Sequence, residues 1–166
     1  MRVAFGLGSN LGDRLAHLQS AVELIAASST APPRLSPLYE TDPVGGPEQD
    51  DYLNAVVIAD LPDGIDLLDL ARQAERARGR VRRERWGPRT LDVDVLDADG
   101  RSSADPGLTL PHPRAHLRAF VLVPWLTADP DAVLPGRGRV ADLLAALPGQ
   151  DRAGVRRRPD LALHAP

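Results

Sequence analysis

Between Leu91 and Val95 apolar and acidic residues alternate without exception, as Leu91-Asp92-Val93-Asp94-Val95. A period of two dictates an extended strand. Leu91, Val93 and Val95 face a core, and Asp92 and Asp94 stand on the opposite face, about 7 Å apart along the pleat. Two like charges at that spacing repel by about 2 kcal/mol at an effective dielectric near 20, a cost that a divalent cation reverses. Arg85 and Arg89 precede the strand, and Arg78, Arg80, Arg82 and Arg83 crowd the segment before them. Paired carboxylates approached by arginines are the outline of a site for a metal-bound polyphosphate. Each part also has a plainer meaning: a solvated strand face, and cations complementing a helix C-terminus.

A chain of 166 residues suits one domain, 1–166, with a core able to hold it together. At 43% hydrophobic and 26% charged it is neither disordered nor membranous. It starts without the apolar core of a signal peptide and contains no cysteine, so a cytoplasmic setting without membrane partners is expected. A monomer is expected as well. The net charge of -3 argues against nucleic acid as a partner. All twenty cationic side chains are arginine, which removes the lysine of a Walker loop and every lysine-based covalent mechanism. Phosphate must be held by arginine, backbone or metal.

Val3 to Gly8 reads as a strand, and Asp13 can cap a helix carrying Leu15, Leu18, Val22 and Ile25 at helical spacing. Leu35 to Thr41 reads as an extended segment that Pro37 would confine to a sheet edge. Tyr52 to Asp60 is a strand with Tyr52 and Asn54 on one face, and Leu67, Leu68, Leu70, Ala71 and Ala74 mark a second helix ended by Gly79. After the aspartate strand come a short extended piece at Leu108 to Leu110 and helices near 119–127 and 140–147. Residues 1–148 form the core of the domain, and 149–166, with Arg156-Arg157-Arg158, read as a basic, solvated tail. Strand, helix, strand, strand, helix, strand is the order of an α+β, ferredoxin-like sandwich, its antiparallel sheet covered on one face by two helices and free on the other to bind ligands.

Gly6-Leu7-Gly8-Ser9-Asn10-Leu11-Gly12 fails the spacing of a dinucleotide fingerprint, leaving a tight strand-to-helix turn or the floor of a pocket. Trp86-Gly87-Pro88 interrupts the arginine run in the manner of a loop that closes over a ligand. Tyr52 and Asn54 offer a ring and an amide, the pair needed to read the edge of a flat heterocycle. Phe120 serves either a core or a second ring face. His112, between two prolines, and Arg118 are either surface residues or phosphate contacts.

Six motifs in order carry a family resemblance: Gly8-Ser9-Asn10-Leu11, Tyr39-Glu40-Thr41, Asp51-Tyr52-Leu53-Asn54-Ala55, Gly79-Arg80-Val81-Arg82, Arg85 through Asp94, and Leu110-Pro111-His112. Over about residues 3–148 the chain resembles the 6-hydroxymethyl-7,8-dihydropterin pyrophosphokinases, which move pyrophosphate from ATP to a pterin alcohol in folate biosynthesis. The resemblance implies a ferredoxin-like three-layer α/β sandwich. It implies that Asp92 and Asp94 hold two Mg ions on the ATP phosphates, with catalysis resting on these two and on Arg82 and Arg89. Glu75, Arg82, Arg89, Thr109, His112 and Arg118 match positions around ATP. Thr41, Asp42, Val44, Tyr52, Asn54, Trp86, Asp92 and Phe120 match positions around the pterin, which sits between Tyr52 and Phe120. Arg80, Arg82 and Trp86 match a mobile loop. The pterin hydroxyl attacks the β-phosphorus and AMP leaves, with no covalent enzyme intermediate.

Departures from the family pattern fall on the ATP side: Arg72 for a glutamine, Pro113 for a tyrosine, Gly107 for an arginine, and a loop one residue shorter between Arg82 and Arg85. Two rival classes use the same features. A nucleotide-sugar transferase would use Asp92-Val93-Asp94 for its metal but needs a larger nucleotide domain. A ferredoxin-like RNA-binding module would need aromatics on its central strands plus net positive charge, and the net charge here is -3.

Overall fold

Residues Arg2–Ser9 form β1, the strand that joins the two halves of the sheet. The computed structural model describes residues 1–43, 46–79 and 89–166. After β1 come α1 (Arg14–Ser28), β2 (Arg34–Leu35), β3 (Tyr39–Thr41), β4 (Tyr52–Asp60), α2 (Leu67–Ala77) and β5 (Asp92–Ala98). A hairpin of β6 (Ser103–Asp105) and β7 (Leu108–Leu110) leads through a 3-10 turn at Ala115–Leu117 into α3 (Ala119–Ala128). A second hairpin, β8 (Val133–Leu134) and β9 (Gly138–Arg139), precedes α4 (Val140–Ala146), α5 (Gly149–Ala153) and β10 (Val155–Arg157). Asp13 and Asp66 start the first two helices, accepting the amides of Ala16 at 3.1 Å and Asp69 at 2.9 Å.

The main sheet is antiparallel in the order β10-β3-β4-β1-β5, with β2 pairing β4 alongside β3. Setting β10 aside, this is the ferredoxin-like order that the sequence implied. Val3, Phe5, Leu7, Leu53, Ala55, Val57, Val93 and Val95 pack on one face against Leu18, Val22 and Ile25 of α1 and Leu67, Leu70 and Ala74 of α2. On the opposite face Ala4, Val56, Ile58 and Leu96 meet Val121, Leu122 and Trp125 of α3, with Val140 of α4 behind them. The sandwich therefore has three layers.

Three expectations change. The ligand face of the sheet is only half free, because α3 is apolar around its circumference and must bury itself on that face. Pro37 marks an interruption, not an edge: the chain leaves the ladder between β2 and β3, and Ser36 satisfies Val56 by donating its amide to the carbonyl and accepting the amide on its hydroxyl, both at 2.9 Å. The basic segment is no solvated tail. Val155–Arg157 add β10 to the outer side of β3, Arg158 pairs with Glu40 and Asp160, and Leu161 and Leu163 pack on the first core.

Candidate active site

The uncovered half of the second face is built from cross-strand rows. Asn54 of β4 lies opposite Gly8 of β1, and Gly8 lies opposite Asp92 of β5. One step along, Val56, Gly6 and Asp94 form the next row. Directly paired residues point to the same face, so each row runs from an uncharged wall to a carboxylate across a bare glycine. The floor is tight at Gly8, where a Cβ would lie 2.9 Å from Asn54 Oδ1 and 3.5 Å from the Tyr52 ring. The two glycines therefore lie inside β1 as a pocket floor, which settles the alternative to a tight turn. Above them is a cleft of about 300 Å³ lined by Thr41, Asp42, Tyr52, Asn54, Arg89, Asp92, Asp94, Arg118 and Phe120, nine of the residues singled out from the sequence.

The polar groups are held in fixed relations. Asn54 Nδ2 donates to Thr41 Oγ1 at 2.6 Å, fixing the amide with its oxygen over Gly8. Arg89 Nη1 donates to Asp92 Oδ2 at 3.0 Å, and the Arg118 guanidinium lies over the Phe120 ring, 5.5 Å from its centroid. Burial, aided by the Asp92 charge, pushes the Asp94 carboxyl up to about 7, against the pull of Arg118. His112 Nε2 lies 4.0 Å from Asp94 Oδ2. Its backbone N–H donates to Leu96 O at 2.9 Å, which seats the loop after β7 on the end of β5. Burial and then the Arg118 charge bring the imidazole down to about 4, so it is neutral at pH 7. Nδ1 accepts the Arg114 amide at 3.1 Å, which leaves the proton on Nε2, facing Asp94.

The carboxylates fit magnesium. Two hard oxygen donors stand in neighbouring rows on one face, and burial together with the other's charge disfavours the ionised form of one, a cost that a cation relieves. Among the described residues no group of three or more His, Cys, Asp or Glu is placed to hold a metal, and a cation between Asp92 and Asp94 would draw its further ligands from phosphate oxygens and water.

Three of the expected site residues among those described do not line the cleft: His112, which stands beside Asp94, and Glu75 and Thr109. Glu75, buried on α2, accepts the Val93 amide at 3.0 Å, and Thr109 donates its hydroxyl to Asp105 O at 3.1 Å in the β6–β7 hairpin. Val44, Arg80, Arg82 and Trp86 lie outside the described residues. Gln49, Arg114 and Leu117 also line the cleft, and no spacing in the sequence marks them. Gly107, one of the departures, gives its amide to Asp105 Oδ1 at 2.8 Å, and a Cβ there would come within 3.1 Å of Leu68.

Comparison with known proteins agrees with the geometry. Residues 4–130 match the family described as 7,8-dihydro-6-hydroxymethylpterin-pyrophosphokinase (HPPK). The chain is 52% identical over 170 residues to a Mycobacterium leprae protein named 2-amino-4-hydroxy-6-hydroxymethyldihydropteridine pyrophosphokinase, covering 93% of this chain and 87% of that one. It is 47% identical to the Mycobacterium tuberculosis protein of the same name, covering 99% and 94% of the two chains. To the namesake from Methylorubrum extorquens the identity is 44%, with 94% and 98% covered. Among solved structures, a Plasmodium falciparum HPPK-DHPS with pterin and p-hydroxybenzoate shares the fold at a TM-score of 0.63 and 12% identity, over 87% of this chain and 41% of that longer one. Sequence, fold and cleft thus converge, and the chain belongs to the 7,8-dihydro-6-hydroxymethylpterin-pyrophosphokinase family.

Proposed function

We propose that the cleft transfers pyrophosphate from ATP to 6-hydroxymethyl-7,8-dihydropterin, giving the pterin diphosphate and AMP, a step of folate biosynthesis. The single observation that carries this reading is the pair of rows across Gly6 and Gly8, which sets a ring-and-amide wall opposite two carboxylates across a bare glycine floor.

The pterin lies on the glycine floor between Tyr52 and Phe120, and Asn54, Thr41 and Asp42 read its edge. Its alcohol oxygen bonds to the β-phosphorus and gives its proton to solvent as the bond from that phosphorus to the α,β-bridging oxygen breaks, so that AMP leaves with that oxygen. Asp92 and Asp94 would hold two Mg ions, which when bound offset the charge of the phosphate oxygens. Arg89 and Arg118 add cationic charge on the same side, and neutral His112, its Nε2 proton facing Asp94, adds no charge that would compete with the cations. Glu75 acts indirectly, by holding the Val93 amide between the two aspartates. Positioning and preorganised charge account for the rate, and no side chain forms a bond to phosphorus. A monomer in the cytoplasm is consistent with this chemistry, and no helix among the described residues is long and apolar enough to cross a membrane.

Purified protein incubated with ATP, Mg and the reduced pterin alcohol should yield AMP. ADP in its place, or no pterin-dependent AMP, would sink the proposal.

A further inference from the structure

Asn10, at the end of β1, is 2% exposed and does not line the cleft, yet its side chain is engaged on both edges. Oδ1 accepts the backbone N–H of Arg89 at 2.8 Å, and the Asn10 backbone N–H donates in return to Arg89 O at 3.1 Å. On the other edge Nδ2 donates to Gln49 Oε1 and to the Asp50 carbonyl, both at 2.9 Å. The amide cannot be turned over, because the Arg89 N–H only donates and the Asp50 carbonyl only accepts. Its partners lie 39, 40 and 79 residues away along the chain, and two of them, Gln49 and Arg89, line the cleft. Gln49 precedes the strand that carries Tyr52 and Asn54, while Arg89 is ion-paired to Asp92.

We propose that Asn10 is a positioning residue that couples the two substrate subsites by tying the 49–50 segment to Arg89. The inference rests on the two-substrate reading above. The chemistry of the junction selects a carboxamide. Aspartate would keep the acceptor for Arg89 but lose both donors and set a carboxylate against two oxygens, while alanine would orphan groups on both sides. A ligand that orders one side of a shared buried junction lowers the cost of ordering the other, and by linkage the benefit is reciprocal. Asn10 needs no contact with either substrate to do this.

Calorimetry of pterin binding, with and without a nonhydrolysable ATP analogue plus Mg, tests the proposal in wild type and Asn10→Asp. In wild type the analogue should tighten pterin binding by about 5-fold or more, and the same factor should appear when the order of addition is reversed. Asn10→Asp should bind each ligand alone within about threefold of wild type, with the coupling reduced to less than about twofold. Coupling equal to wild type, even with a lowered melting temperature, would mean that Asn10 is merely structural and would overturn the proposal. Should Asn10→Asp not fold, Gln49→Ala removes one of the two donor contacts and leaves the buried amide in place. Because the readout is a ratio for one ligand within one variant, direct loss of a Gln49 contact cancels. Its coupling should fall to half or less, and an unchanged ratio overturns the proposal. Wild-type protein that bound both ligands independently would overturn this inference alone, whereas wild-type protein that bound no pterin would end the functional reading and this inference with it.

Discussion

Gly8 and Asn54 face each other across the β1–β4 ladder so closely that a methyl group on the glycine would lie 2.9 Å from the asparagine's amide oxygen. Gly8→Ala must therefore displace the amide proposed to read the pterin edge, at a cost of about 1–3 kcal/mol if the sheet does not yield. Pterin affinity should drop by about tenfold or more, while the affinity for an ATP analogue stays within about threefold. Calorimetry with each ligand separately checks this, and equal losses for both would mean that the strand itself had moved.

Asp92→Ala and Asp94→Ala should each abolish turnover at saturating Mg while leaving the circular dichroism spectrum unchanged. Near-normal activity in either variant would remove that carboxylate from the metal site.

Asp94 also gives the apo protein a pH signature. Its folded value, about 7, lies above the ordinary 3.8, so the folded state binds more protons in that window. Its contribution to stability is present in full below 3.8 and is lost as pH rises through 7. At pH 8 without metal, Asp94→Asn should be more stable than wild type by about 1 kcal/mol, a figure discounted for solvent screening at a carboxylate 37% exposed. Thermal melts at pH 5 and 8, with and without Mg, measure it, and a gain no larger at pH 8 than at pH 5 would contradict the assignment.

For His112 the sign is opposite. A folded value near 4, below the ordinary 6.5, means that its contribution is present above 6.5 and is lost as pH falls through 4. A proton NMR titration of the apo protein should find the ring neutral at pH 6 with its midpoint near 4. A midpoint near 6.5 would place a cation beside the carboxylates and undo the proposed role.

Glu75→Ala should leave the Val93 amide without its carboxylate acceptor and cost about 1–3 kcal/mol of stability, with Glu75→Gln retaining most of it. Urea unfolding separates the two, and equal losses would mean that the hydrogen bond contributes nothing.

What was legible in the chain follows from distance along it. Asp92 and Asp94 declare their face through a period of two, and Tyr52 and Asn54 do so through the same rule on β4. Glu75 matches a family position around the nucleotide, and it also falls four residues after Ala71 on the buried side of α2, a place where an acid needs a partner inside the fold. Asn10 and Gln49 acquire meaning only through contacts with remote residues. Charge alone made Arg156 and Arg158 look like a tail. Their partners, Asp42, Asp51 and Glu40, lie more than a hundred residues upstream, and Val155 is the single apolar residue of β10.

The glycine floor bears on how this cleft could be inhibited. A compound seated on Gly6 and Gly8 rests on main chain, and substitution there can only add atoms, at Gly8 against Asn54 itself. A change that evicted the inhibitor would crowd the amide intended for the natural ligand, so resistance would be bought with catalysis. Escape would have to come from a side chain such as the exposed Leu117, which can change shape without touching the floor.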